Sequence, residues 1–299
     1  MVVNVSMLNI VLENTIVAPP VSTSANWEFL VAVLAGIVQG IVEWLPVSSQ
    51  GNLSLFLTLV GTSPEHALQL ALFLQVGTTL SSALYYRDDI RESFAAVPEW
   101  RPSTAFIGAN AVTTFVVVAC LATGLVGIPL YVFAADFVNE LSGGLFIAAI
   151  GALLVATGVL QLVSESVAFE DRNEPTLRDA VIVGAFQGLS ILPGISRSGV
   201  TTSVLLFRSY QAPSAFRLSF LLSIPAGLGA GVLTVVTEGG VPGVSPSAAA
   251  LAIVTSAVVG YATIGLLMRV VERIPFWIVC FGLGGLAIVG GGGVALLTA

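Results

Sequence analysis

Six uninterrupted apolar runs, at 65–86, 104–125, 143–163, 214–237, 246–268 and 275–297, punctuate the chain. Each is long enough to cross a bilayer as a helix, which takes about 20 residues. Two further apolar regions are interrupted by polar residues. Residues 27–60 break between Leu45 and Gly51, and residues 177–208 break between Leu192 and Gly199. The halves on either side run to about 12 to 18 residues, too short for simple spans, and read as re-entrant or broken helix pairs. Non-helical backbone at membrane depth is tolerated only where protein or a water-filled cavity surrounds it, so both breaks point to a cavity. The pattern predicts an all-α integral membrane protein with six transmembrane helices and two re-entrant helix pairs.

The two interrupted regions are related. Gly36-Ile37-Val38-Gln39-Gly40 recurs as Gly184-Ala185-Phe186-Gln187-Gly188, 148 residues later. Each copy is followed by Leu-Pro (Leu45-Pro46 and Leu192-Pro193), then by serines, then by three spans. Gly-x-x-x-Gly alone marks close helix packing, but packing does not account for the glutamines, prolines and serines. We read a first repeat over 27–163 and a second over 177–297, preceded by a tail over 1–26. An odd number of spans per repeat inverts the second copy, an arrangement found around midplane sites in transporter folds. The tips of the two breaks would then meet.

Composition agrees with the pattern. Of 299 residues, 56% are hydrophobic and 9% charged, against about 25% charged in soluble domains. Mean hydropathy is +0.99. All ten basic residues are arginine, and the net charge of −7 argues against a nucleic-acid partner. Acidic, lysine-free composition also suggests a high-salt organism. With the spans as drawn, nine arginines (all but Arg197) fall on one side, while the opposite loops hold Asp136, Glu140 and Glu238. The positive-inside rule then puts both termini outside. The N-terminal segment has an apolar stretch but no Lys or Arg, which a secretory signal requires. The charges near the span ends read as solvated, Cys120 and Cys280 as packing residues, and His66 as structural. Gln69 and Gln75 read as interhelical packing rather than cavity lining.

Arg197 and Glu43 stand apart. A charge within membrane-length apolar sequence costs roughly 2.5 to 3.5 kcal/mol on insertion scales, so it marks a functional site unless shown otherwise. Gln39 and Glu43 are four apart and share one helix face. Pro46 ends that helix, and Ser48 and Ser49 follow where the chain turns. In the second break Pro193 and Gly194 precede Ser196, Arg197 and Ser198. Backbone N–H groups at a helix start, serine hydroxyls and a planar guanidinium together make an anion site suited to phosphate. A carboxylate beside it can hold a divalent cation or activate water or a hydroxyl. A purely structural Glu43–Arg197 ion pair is the plain alternative, though it leaves the serine clusters without a role.

These motifs resemble the undecaprenyl-diphosphate phosphatase family of the bacitracin-resistance type. Its Glu/Gln-x-x-x-Glu and Leu-Pro-x-Ser-Ser signature matches Gln39, Glu43, Leu45, Pro46, Ser48 and Ser49. Its Pro-Gly-x-Ser-Arg-Ser-Gly-x-Thr signature matches Pro193 to Thr201 at every fixed position. Weaker similarities run over Ala71–Gly77 with Tyr85–Asp88, and over Phe216–Pro225. The resemblance implies a plasma-membrane phosphatase that takes one phosphate from a polyprenyl diphosphate and recycles a glycan lipid carrier, with its site open to the outside. It implies a divalent cation, Mg2+ or Ca2+, held by Gln39 and Glu43. Phosphate binding would fall to Ser48, Asn52, Ser196, Arg197, Ser198 and Thr201, and catalysis to Glu43, Ser49 and Arg197. The family usually has histidine where this chain has Asn52, which cannot transfer a proton in the same range. The residues alone also allow a polyprenyl-phosphate or anion transporter, or flippase, using the same midplane site.

Overall fold

The computed structural model describes residues 25–140, 143–165, 172, 174–239, 244–271 and 275–298. The tail read over 1–26 lies outside them except for its last two residues, which begin the first helix; Arg273 also lies outside. Among the described residues the regular structure is helical apart from one bridge between Arg172 and Tyr210. The helices are α1 (Ala25–Val42), α2 (Ser49–Leu59), α3 (Pro64–Tyr85), α4 (Arg87–Ala96), α5 (Ala109–Glu140) and α6 (Gly143–Glu165). The second half holds α7 (Leu177–Gly188), α8 (Arg197–Phe207), α9 (Ala212–Glu238), α10 (Pro246–Val271) and α11 (Phe276–Thr298). Helices α3, α5, α6, α9, α10 and α11 are the six long and apolar enough to cross a membrane.

The second span and the stretch before it differ from expectation. The span runs Ala109–Glu140 rather than 104–125; its start is set by Pro102–Thr104, which closes a 3-10 turn, and by Gly108, which takes a left-handed φ of +56° just before the helix. The stretch after α3, expected as loop, folds into α4, whose first turn carries Asp88 and Asp89 where the helix dipole favours negative charge.

The principal helix pairs are preserved when α1, α2, α3, α5 and α6 are exchanged with α7, α8, α9, α10 and α11, although among the described residues α8 also packs on α6 without a comparable α2–α11 pair. Helix α1 packs on α10 as α7 packs on α5, α2 lies on α3 as α8 lies on α9, and α6 packs along α11. The duplicated glycines lie in the first of these seams. A Cβ on Gly36 would come within 2.7 Å of the Ala252 carbonyl oxygen, and one on Gly184 within 2.2 Å of the Ala119 carbonyl oxygen. Only glycine permits that approach, so the packing reading of Gly-x-x-x-Gly holds in both copies.

Leu53, Leu57, Leu72, Leu74, Leu154 and Leu205 are fully buried between the helices, whereas Leu121, Leu125, Leu286 and Val289 stand exposed on the outer faces of spans. An apolar outer surface of that kind is what a bilayer solvates.

The charges near the span ends are not all solvated. Asp179, in the first turn of α7, has no exposed side-chain surface and binds Arg208 Nε at 2.6 Å, with Arg172 Nη2 at 3.6 Å. Tyr210 and Thr176 hydroxyls also donate to it, at 2.9 and 2.6 Å. Burial pushes this carboxyl up, but the hydrogen bonds from Thr176, Arg208 and Tyr210 outweigh it and hold it below the usual carboxylate range. The cluster ties the start of α7 to the end of α8, closing the base of the second broken pair.

Candidate active site

Prolines set both breaks. A helix cannot run smoothly into Leu-Pro, since the ring excludes helical geometry at the residue before it. Helix α1 accordingly ends at Val42, and α7 gives way to a 3-10 turn at Leu189–Ile191. Each chain then turns and restarts as an eleven-residue helix capped by serine. Ser48 Oγ accepts from Gly51 N at 3.2 Å, and Ser196 Oγ accepts from Gly199 N at 3.1 Å. Ser48 holds a left-handed φ of 59°, rare for a residue with a side chain.

The two tips touch. Ser48 Oγ also accepts from Gly194 N at 3.1 Å, so one oxygen belongs to both breaks. Gly194 has φ +107°, and a Cβ there would lie 2.6 Å from the Ile150 carbonyl oxygen. Helix α6 braces the joint: Gln161 Nε2 donates to Pro46 O at 2.5 Å, while Thr157 Oγ1 donates to Gly194 O at 3.2 Å and accepts from Ser196 N at 3.3 Å.

Between the tips lies a narrow pocket. The N-termini of α2 and α8 both face it, represented by Ser48, Ser49 and Gln50 on one side and Ser196, Arg197 and Ser198 on the other. The first N–H groups of a helix have no intrahelical partner, so two converging starts favour an anion. Glu43 is the hub, at 6% exposure. Its Oε2 accepts from Ser49 Oγ at 2.6 Å and from Gln39 Nε2 at 2.8 Å. Its Oε1 accepts from Arg197 Nη2.

The expected residues thus divide. Gln39, Glu43, Ser48, Ser49, Ser196, Arg197 and Ser198 come together. Thr201 and Asn52 do not line the pocket. Thr201 Oγ1 donates to Arg197 O at 2.8 Å and shares a hydrogen bond with Ser219 Oγ at 2.6 Å. Asn52 Nδ2 donates to the carbonyls of Val47 at 2.7 Å and Ser48 at 2.9 Å, so the amide fastens the break. His66 pairs with Ser63 at the exposed start of α3 and has no part in the site. Gln75, expected as packing, lines the pocket, and so does Gln50. Thr157 and Gln161 were not anticipated. Four apart in an apolar span, they carry the spacing that singled out Gln39 and Glu43.

Among the described residues no three His, Cys, Asp or Glu side chains group as a metal site. The ligand atoms near Glu43 are nonetheless oxygen, and the buried Gln39 Oε1 has no hydrogen-bond partner. One carboxylate with neutral oxygens suits a hard cation whose remaining ligands come from water and substrate phosphate.

The family model for the bacitracin resistance protein BacA matches residues 32–286, a range that takes in both breaks and five complete spans. An undecaprenyl-diphosphatase of Haloarcula marismortui is 47% identical over 270 residues, covering 89% of this chain and 98% of that protein. Proteins of the same name from Methanococcoides burtonii and Methanopyrus kandleri are each 38% identical, over 86% and 88% of this chain and 96% of their own lengths. With both signatures folded into one pocket and the match running nearly end to end, this chain belongs to the BacA family.

Proposed function

We propose that this protein is a polyprenyl-diphosphate phosphatase, cleaving the lipid diphosphate to the monophosphate and inorganic phosphate. One observation carries the reading: Ser49 and Arg197 both donate to Glu43, one to each carboxylate oxygen, at the meeting point of two helix N-termini. The name shared by the three relatives supports it and weighs against the carrier reading.

In this proposal the terminal phosphate sits between the helix starts, held by Arg197 and the hydroxyls of Ser48, Ser196 and Ser198. Arg197 is already paired to Glu43, so substrate binding shares its guanidinium between carboxylate and phosphate. Ser49 Oγ attacks phosphorus as its proton passes to Glu43 Oε2, and the bond to the bridging oxygen breaks to release polyprenyl monophosphate. Glu43 hands that proton to the departing polyprenyl monophosphate and is ionised again; water then hydrolyses the phosphoserine, its proton passing to Glu43 as the P–O bond to Ser49 breaks. The short Ser49–Glu43 bond favours serine over a directly activated water as the first nucleophile. Thr201 and Asn52 hold the helix start and the loop rather than the phosphate. Gln39 and Glu43 are the residues to hold a divalent cation, Mg2+ or Ca2+, which when bound supplies charge neutralisation of the phosphoryl oxygens.

The outer walls of the six spans suit the plasma membrane. The arginine distribution supports both termini and the site facing outside. The test is phosphate release by the purified protein from a polyprenyl diphosphate in detergent, with EDTA and with added Mg2+ or Ca2+. Cation-dependent release is expected. Folded protein that releases nothing under either cation would return the pocket to a carrier role.

A further inference from the structure

Arg197, Gln50 and Gln75 line two chambers, not one. Beyond them from Glu43 and Ser49 lies a second chamber of about 60 Å³ between α5, α7 and α9. Gln187 and Thr123 supply its polar wall, and Gly127, Gly188 and Ala230 keep the remaining wall back. Three atoms on its lining residues have no hydrogen-bond partner: Gln187 Oε1, Gln50 Oε1 and Arg197 Nη1. Gln187 is 2% exposed and Gln50 6%. Buried polar atoms are ordinarily paired, so an unpaired set around one cavity points to something that fills it.

The set is two acceptors and one cationic donor. A dihydrogenphosphate matches both kinds, its two P–OH groups donating to the amide oxygens and an anionic oxygen accepting from the guanidinium. No carboxylate lines this chamber, leaving Arg197 as its one charged lining residue. The repeat explains why. Gln187 corresponds to Gln39, but four residues on, where the first copy has Glu43, the second has Ile191. A phosphate group there meets an amide and an arginine and no base.

We propose that the second chamber is a binding site for inorganic phosphate, occupied after cleavage and separate from the site that holds the lipid head group. This rests on the hydrolase reading. A lipid phosphomonoester presents the same oxygen chemistry, so the experiment separates the two sources. Binding of inorganic phosphate to the detergent-solubilised full chain is measured by calorimetry, alone and with saturating polyprenyl monophosphate. Phosphate is expected to bind in both conditions. Gln187→Met should weaken it about tenfold, with kcat/KM for polyprenyl diphosphate held within about twofold. Ala230→Val fills the chamber from another helix and should weaken phosphate binding alike. It carries the test if Gln187→Met does not fold.

Phosphate displaced by the monophosphate, or bound unchanged by both variants, overturns the proposal. Weakened binding of the monophosphate alone also overturns it, assigning the chamber to the lipid head group. Phosphate binding that both variants weaken, in a protein that hydrolyses nothing, upholds the chamber as a phosphate site and removes the hydrolase reading instead.

Discussion

Replacing Ser49 by alanine removes one hydrogen bond to Glu43 and leaves those from Gln39 and Arg197 in place. The fold should therefore survive while kcat falls by roughly a hundredfold or more, the scale of losing an activated nucleophile. Wild-type kcat in S49A would transfer the attack to water. Arg197 behaves differently. Arg197→Ala strands a buried carboxylate, which costs about 3 to 5 kcal/mol where a buried pair is broken, so it should lower both turnover and the unfolding temperature. Arg197→Lys keeps the charge but loses the planar fork, and should retain more stability than activity. Activity in R197A matching wild type would remove Arg197 from the phosphate site. Asn52→Ala frees two carbonyls of the first break. It should lower kcat modestly without shifting the pH profile, since the amide does not titrate; a shifted profile would reveal a proton path through that position.

Among the helices, the seam glycines give the sharpest expectation. Gly184→Ala drives a methyl group into the Ala119 carbonyl, and overpacking of this kind costs typically about 1 to 3 kcal/mol. Thermal unfolding in detergent should show the loss; an unchanged midpoint would mean the α5–α7 seam yields freely. The same helices show what the sequence could and could not convey. Long apolar runs locate six spans because length and hydropathy suffice, and Leu-Pro followed by serine locates both breaks because proline chemistry is local. Helix α4 was hidden because it is short and polar: Ile90 and Phe94 stand four apart at helical spacing, but long apolar runs alone do not pick out a charged ten-residue stretch. Gln75 was misread because a glutamine in a span has the same spacing whether it faces a neighbour or a cavity. The Asp179 cluster was invisible for another reason: its partners Arg208 and Tyr210 lie 29 and 31 residues away, and only the folded hairpin brings them together.

For the molecule as a whole, Asp179 makes stability depend on acid. Its carboxyl is held below the unfolded value of about 3.9, so its contribution is fully present above that pH. It is lost as pH falls through the lower folded value. The wild-type unfolding midpoint should therefore drop below about pH 4 more steeply than that of Asp179→Asn, which should be less stable than wild type near neutrality. Parallel curves across that range would detach Asp179 from the acid limb. The other feature that spans the whole molecule is the hydroxyl of Ser48, which accepts an N–H from each half of the chain. A carrier that works by rocking must let its halves slide past one another at the site. Here the two halves are spliced at the Ser48 oxygen and braced from α6, a joint that suits a fixed anvil, where the lipid moves and the site does not, better than a rocking carrier.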